Sequence, residues 1–204
     1  MEILRCGLDA VLVELDGRDE VLGLRAALRG ADRDGVRELI PAARTLLIRY
    51  DPRLLDPGSI HTIITELPVT HESVEDPAEL TVPVRYDGPD LDEVASLTGL
   101  SSLEVAYRHR SSMYTVAFCG FAPGFAYLTG IDRTLRLPRR DTPRIRVPAG
   151  SVAIADEYTG IYPRSSPGGW HLIGTTDLAV WDLERDPVTW LSPGTRVRFE
   201  EVTR

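Results

Sequence analysis

The chain has 204 residues, 43% of them hydrophobic and 26% charged, with a formal net charge of −8. So acidic a chain gains no counterion-release term on a nucleic-acid backbone, which excludes nucleic acid as a main partner. All 23 basic residues are arginine, and asparagine and glutamine are absent too; this removes a P-loop lysine, a Schiff-base lysine, a Cys-His-Asn triad and N-glycosylation.

In chain order, "LRCGLDAVLVEL" ends in an alternating run, with Val11, Val13 and Leu15 set against Leu12 and Glu14, which suits a half-buried strand. "DEVLGLRAALRG" spaces Val21, Leu22, Leu24 and Leu28 for a helix that stops at Gly30. "GVRELIPAARTLLIRYDP" reads as two strands bent at Pro41, because proline cannot donate to a central ladder. "DPGSIHTIITELPV" places Ile60, Ile63, Ile64 and Leu67 on one helical face. Strand, helix, two strands and helix make a small α+β domain, expected over residues 1–82, with the boundary region at 76 to 83. Beyond it, "DGPDLDEVASLTGLSSLEVAYRHR" gives two short helices. Asp90 with Glu93 and Ser101 with Glu104 fit capping boxes, and Gly99 fits a stop. From Met113 on, Gly and Pro punctuate short apolar runs ("MYTVAFCG", "RIRVPAG", "SVAIAD", "GIYP", "WHLIGTT", "LAVWDL", "TRVRFEEV"), as in an all-β barrel or sandwich over residues 83–204.

Two stretches are dense enough to carry function. "FCGFAPGFAYLTG" combines glycines that permit positive φ or close approach (Gly120, Gly124), a turn-fixing Pro123, and the aromatics Phe121, Phe125 and Tyr127. It is either a barrel corner whose rings fill the core or the wall of a binding site. In "DTPRIRVPAGSVAIADEYTGIYPRSSPGGWHLIG", Arg144 and Arg146 share a face if the segment is a strand. They could fork onto a ligand carboxylate or phosphate, or pair with the chain's own acids. The "SSPGGW" turn either packs Trp170 inward or lines a pocket. Among the histidines, His109 ends a helix just before the aromatic corner. It reads as a proton shuttle, a helix C-terminal cation or a packed side chain. His61 and His71 lack partner spacing, and His171 opens a strand. No H-E-x-x-H pattern points to zinc, and Ser165 and Ser166 lack a G-x-S-x-G setting. No dinucleotide fingerprint occurs. Cys6 and Cys119, without paired spacing, are expected as buried free thiols in a reducing cytoplasm. The N-terminus lacks a signal-peptide pattern, and no apolar run is long enough for a membrane span.

"GFAPGFAYL", "TPRIRVPAGSVAIA", "TGIYPRSSPGGWHLIG" and "LSPGTRVRFEEV", in that order, strongly resemble the family named after allophanate hydrolase subunit 1. That family includes the antikinase KipI and the B component of bacterial ATP-dependent 5-oxoprolinase. The likeness is specific from residue 107 to 202 and loose before it. It implies a small N-terminal α+β domain followed by a C-terminal cyclophilin-like β-barrel. It implies a partner, a subunit 2 protein of the KipA or PxpC type, together with an A-type subunit, and a small amide substrate. ATP is used by the complex and is not bound by a recognisable motif in this chain. Related fused domains in urea carboxylase transfer a carboxyl group from biotin.

The motif match makes His109 the catalytic candidate. Phe121, Pro123, Gly124, Arg144, Arg146, Tyr162, Pro167, Gly168 and Gly169 become substrate-binding candidates, and Pro148, Gly150, Gly160 and Trp170 also match. The chain departs from the family pattern at Ala126, where proline is common, and at Tyr158, where glutamine is common. The expected function is component B of 5-oxoprolinase, which opens 5-oxoproline to glutamate. The other readings are a KipI-type histidine-kinase inhibitor, an allophanate hydrolase subunit 1 and a prolyl isomerase.

Overall fold

The structure is a computed structural model that describes residues 1–31, 33–67 and 78–203. The chain forms two compact units, Met1–Asp76 and Pro77–Arg204.

The first unit contains β1 (Glu2–Arg5), β2 (Ala10–Glu14), α1 (Arg18–Gly30), β3 (Val36–Pro41), β4 (Thr45–Tyr50) and α2 (Pro57–Glu66). Its strands form an antiparallel sheet in the order β1-β2-β4-β3. Alternation buries Val11 and Val13 of β2 and Leu46, Ile48 and Tyr50 of β4. The helical stripes Val21, Leu24, Leu28 and Ile60, Ile64 close over them. Asp56 starts α2 by accepting from the Gly58 and Ser59 amides at 2.8 and 3.1 Å, with Pro57 in the first turn. Pro41 sits on the edge strand β3, where its missing N–H costs no interior ladder bond. The expected pattern is all present; β1, an edge strand with only a partly buried Ile3 to mark it, is the addition. Cys6 follows β1, just before Gly7 (φ 73°), and is exposed rather than buried. His61 lies exposed on α2, and His71 falls outside the described residues.

The second unit contains β5 (Glu79–Val84), α3 (Leu91–Thr98), α4 (Ser102–Ser111), β6 (Tyr114–Cys119), β7 (Ala126–Thr129), β8 (Arg144–Val147), β9 (Ser151–Ala155), β10 (Tyr158–Ile161), β11 (Ser166–Gly168), β12 (His171–Thr175) and β13 (Arg196–Glu201). Seven strands run in the order β12-β9-β10-β7-β6-β13-β5, and β8 pairs with β11 as a separate ribbon. The two ends of the large sheet meet just past β5, where Arg85 and Thr175 exchange backbone hydrogen bonds at 2.8 Å each, so the sheet curls into a nearly closed barrel. Its interior is mainly apolar, with Val82, Val84, Tyr114, Val116, Leu128, Val152, Ile154, Ile161 and Phe199 among the filling. α3 and α4 add Val94 and Val105 to the same core. Gly99 ends α3 at φ 70°, and the Ser101 hydroxyl caps α4 by accepting from the Glu104 amide at 3.2 Å. No helix among the described residues is long and apolar enough to cross a membrane.

Two expectations shift. β5 pairs in parallel with β13 along its whole length, so it belongs to the barrel. The chain divides at Asp76/Pro77, at the start of the 76–83 boundary region, and a cut after residue 82 would fall within that strand. "LAVWDL" is no strand. Val180 is buried and Trp181 packs against Gly124, so this segment braces the aromatic corner, with one isolated bridge to Thr189.

Barrel closure depends on close approach at Gly88, where a Cβ would run into the backbone of Leu172–Gly174. We expect Gly88→Ala to cost about 2 kcal/mol, the scale of overpacking a closed interior. A lowered urea midpoint for the barrel unit checks this; an unchanged midpoint refutes it.

Candidate functional site

His109, in the last turn of α4, is fully buried. The Thr159 hydroxyl donates to the Ala153 carbonyl at 2.9 Å, so it accepts from His109 Nε2–H, also at 2.9 Å. That assignment leaves Nδ1 as the acceptor for the Tyr86 hydroxyl at 2.8 Å. The ring packs on Phe199 and Tyr114, with centroids 4.5 and 5.3 Å away. Burial pushes its pKa down to about 3. His109 is therefore a neutral, fully paired core residue, which sets this catalytic candidate away from any open surface. Both ring nitrogens are occupied by partners within the chain.

The residues of "FCGFAPGFAYLTG" build a different surface. β6 ends at Cys119, the chain turns through Gly120–Gly124, and β7 resumes at Ala126. Gly124 (φ 81°) takes the left-handed conformation and lies against Trp181, while Pro123 precedes it in the turn. Phe121 also adopts positive φ (69°) and is 61% exposed. A bulky side chain held there is strained, the kind of cost that functional surfaces carry. Behind it, the buried Phe125 ring sits 5.2 Å from Tyr127, 5.2 Å from Tyr162 and 5.4 Å from Trp170, edge to face in each case. Phe121 leans on Phe125 at 5.4 Å and reaches Tyr162 at 6.5 Å. Phe125 fills a core, as the barrel-corner alternative expects, and Phe121 stands exposed at its rim.

Successive residues of a strand point to opposite faces. On β10, Thr159 points to His109 in the barrel interior, whereas a Cβ on Gly160 would stand 3.1 Å from both Phe125 and Trp170. The aromatic shelf thus lies on the outer face of the sheet, and the sheet separates it from His109. Gly168 of β11 lies against the Tyr162 hydroxyl, where a Cβ would stand too close, while Pro167 is exposed and Gly169 faces Pro143 and the Arg140 carbonyl. Tyr158 stands edge-on to Tyr127 at 5.5 Å, which extends the shelf by one ring.

The two arginines divide. Arg144 forks onto Asp90, with Nη1 at 2.8 Å and Nη2 at 2.6 Å, and Arg140 Nη1 reaches the same carboxylate at 2.8 Å. The Leu172 amide adds a further bond at 2.7 Å. Burial alone would raise the Asp90 pKa, but the Arg144 hydrogen bonds and the other donors outweigh it, so the pKa falls below the ordinary carboxylate range. Arg144 is therefore held in an internal ion pair with Asp90. Arg146 is exposed and donates from Nε to Ser165 Oγ at 3.1 Å. The structure brings Phe121, Tyr162 and Gly168 together with Pro123 and Gly124; it sets His109 apart and turns Arg144 inward.

The family described as the carboxyltransferase domain, subdomain C and D, matches residues 1–191. The chain belongs to this family. Within it, the B component of 5-oxoprolinase from Escherichia coli O157:H7 is 40% identical over 179 residues, which cover 86% of this chain and 82% of that protein. The crystal structure of TTHA0988 superposes with a TM-score of 0.84 at 40% identity, over 96% of this chain but only 40% of that longer one. Urea carboxylase of Kluyveromyces lactis shares the fold, with a TM-score of 0.75 at 19% identity over 98% of this chain and 22% of its own. In this member of the carboxyltransferase C/D family, sequence reasoning missed Asp90 and Trp181. Asp90 stands where a helix cap was expected, yet it makes no capping bond and serves as the anchor of two arginines. Nothing in its local pattern separates the two roles, because its partners are 50 and 54 residues away.

Proposed function

We propose that the chain is component B of a heteromeric, ATP-dependent 5-oxoprolinase in the cytoplasm, working with a subunit 2 protein and an A-type subunit. The observation that carries this reading is the 40% identity to the B component of the Escherichia coli 5-oxoprolinase across most of both chains. Two further observations support it. The chain spans only 40% of the TTHA0988 chain, which leaves room for other components to supply chemistry. The best-placed histidine is sealed in the core, so a reacting proton has to be handled elsewhere. A lactam carbonyl is a poor electrophile, and ATP supplies the driving force for opening the ring; with no P-loop lysine in the chain, we assign ATP to another component.

In this reading the aromatic shelf faces the partner, with Phe121 as its anchor. Exposed aromatics held in a fixed conformation lose little entropy on docking. Co-purification from native cells should retrieve a subunit 2 protein, and the reconstituted complex should turn over 5-oxoproline only with ATP. Phe121→Ala should weaken the complex by about 30-fold, close to 2 kcal/mol, and leave the barrel's unfolding midpoint unchanged. Capture of a histidine kinase without subunit 2, or no turnover by the reconstituted complex, defeats the proposal.

A further inference from the structure

A cleft of about 360 Å³ lies in the first unit, between the second half of α1 and β3. Arg25 and Arg29 of α1, Arg33 of the connecting turn and Arg37 of β3 line it. Arg25 and Arg29 are four residues apart and share a helical face. Leu28, Val36 and Leu39, which pack into the core of this unit, supply the apolar lining. A cation in the last helical turn complements the helix dipole, which accounts for Arg29 but not for four arginines. The chain is acidic overall, yet among the described residues Glu38 is the only acid in this lining. Arg49 already takes the Glu38 carboxylate at 3.5 Å, and Arg37 gives its Nη2 to Asp51 at 2.7 Å. Arg29 and Arg33 are exposed and have no hydrogen bond or ion pair among the described residues.

Guanidiniums keep their charge, so their mutual repulsion is relieved only by salt screening or by a bound anion. In a concave site the fields of several cations add and concentrate anions. The occupant has a definite chemistry. A carboxylate presents two oxygens in one plane and matches a single guanidinium fork. A phosphoryl group carries more charge and directs three oxygens apart, so it meets arginines that arrive from a helix, a turn and a strand. The volume is at the small end for ligand sites, and the acidic remainder of the chain turns away a nucleic-acid backbone. We propose that this cleft binds the phosphate or diphosphate group of a small molecule, with Arg29 and Arg33 as its principal donors and Arg37 in support. The apolar lining is open to an organic portion of the same molecule.

The site belongs to the first unit, uses none of the shelf residues and is independent of the function proposed above. The test is calorimetry on the full chain alone at physiological ionic strength (~0.15 M), with pyrophosphate, ADP and citrate as probes. Pyrophosphate should bind saturably and more tightly than citrate. ADP binding as tightly as pyrophosphate assigns the cleft to the diphosphate of a larger molecule, and pyrophosphate binding alone assigns it to the free anion; either result supports the site. Arg29→Ala and Arg33→Ala should each weaken pyrophosphate binding by about tenfold, the loss of one charge-assisted bond. Both side chains are exposed, so the variants should unfold at the wild-type temperature. Arg136→Ala removes the same charge from an exposed position in the second unit and should leave the affinity unchanged. No saturable binding, tighter binding of citrate, wild-type affinity in both cleft variants, or an equal loss in Arg136→Ala overturns the inference.

Discussion

Replacing His109 with alanine should cost the barrel about 4 kcal/mol of stability, because it opens a cavity beside Phe199, strands the Tyr86 hydroxyl and removes the donor to Thr159 Oγ1. The three tryptophans, Trp170, Trp181 and Trp190, all lie in the second unit, so urea unfolding followed by tryptophan fluorescence reports on that unit alone. A catalytic histidine predicts the opposite outcome, an unchanged midpoint with lost turnover, and that result would restore His109 to the chemistry. Acid adds a second readout. The folded state holds His109 neutral with its pKa pushed down to about 3, whereas an unfolded histidine takes up a proton near ~6.5. Between those values the unfolded chain binds the extra proton, so stability is full above pH ~6.5 and falls steadily toward pH 3. The His109 resonances of the folded protein should show no titration down to pH ~4, and a midpoint near ~6.5 would contradict the assignment.

The second large effect is at Asp90. Asp90→Ala leaves Arg140 and Arg144 without their shared carboxylate and the Leu172 amide without its acceptor. Breaking a buried pair in this way costs about 3 kcal/mol, the lower end of the usual range, because the arginines keep some exposure (23% and 27%). Here the sign is that of a depressed carboxylate. The contribution is present above the unfolded pKa of ~3.9 and disappears as pH falls through the lower folded value. The stability gap between wild type and variant should be widest near neutral pH and close in strong acid. A constant gap down to pH ~2 would show that the ion pair is not its source.

Much of this architecture is legible in the sequence because local patterns decide it. Alternation in "AVLVE", the stripe Val21, Leu24, Leu28, and the stop at Gly99 all act within a few residues. What escapes local reading depends on distant partners. The 118–130 stretch is recognisable as unusual from its glycines and rings. That Phe125 turns inward and Phe121 outward is set by Tyr162, Trp170 and Trp181, which come from other strands and loops. Arg144 looked equally suited to a ligand or to an internal acid, and only the fold brings Asp90 beneath it. A histidine in a last helical turn looks like a solvated cation until Tyr86 and Thr159 close around it. Strand membership of β5 was misplaced for the same reason, since its pairing partner lies at the far end of the chain.

That pairing bears on how the protein is made. β13 is inserted between β6 and β5, antiparallel to one and parallel to the other. Until Arg196–Glu201 has left the ribosome, two strands synthesised much earlier wait with open edges facing a gap, and such edges invite pairing with other chains. The final step of barrel assembly is therefore a long-range insertion, slow by topology and exposed to aggregation while translation is unfinished. Chains stalled before residue 196 should be the ones that need a chaperone, whereas the first unit, whose strands all lie within the first fifty residues, can finish folding while the barrel is still being translated.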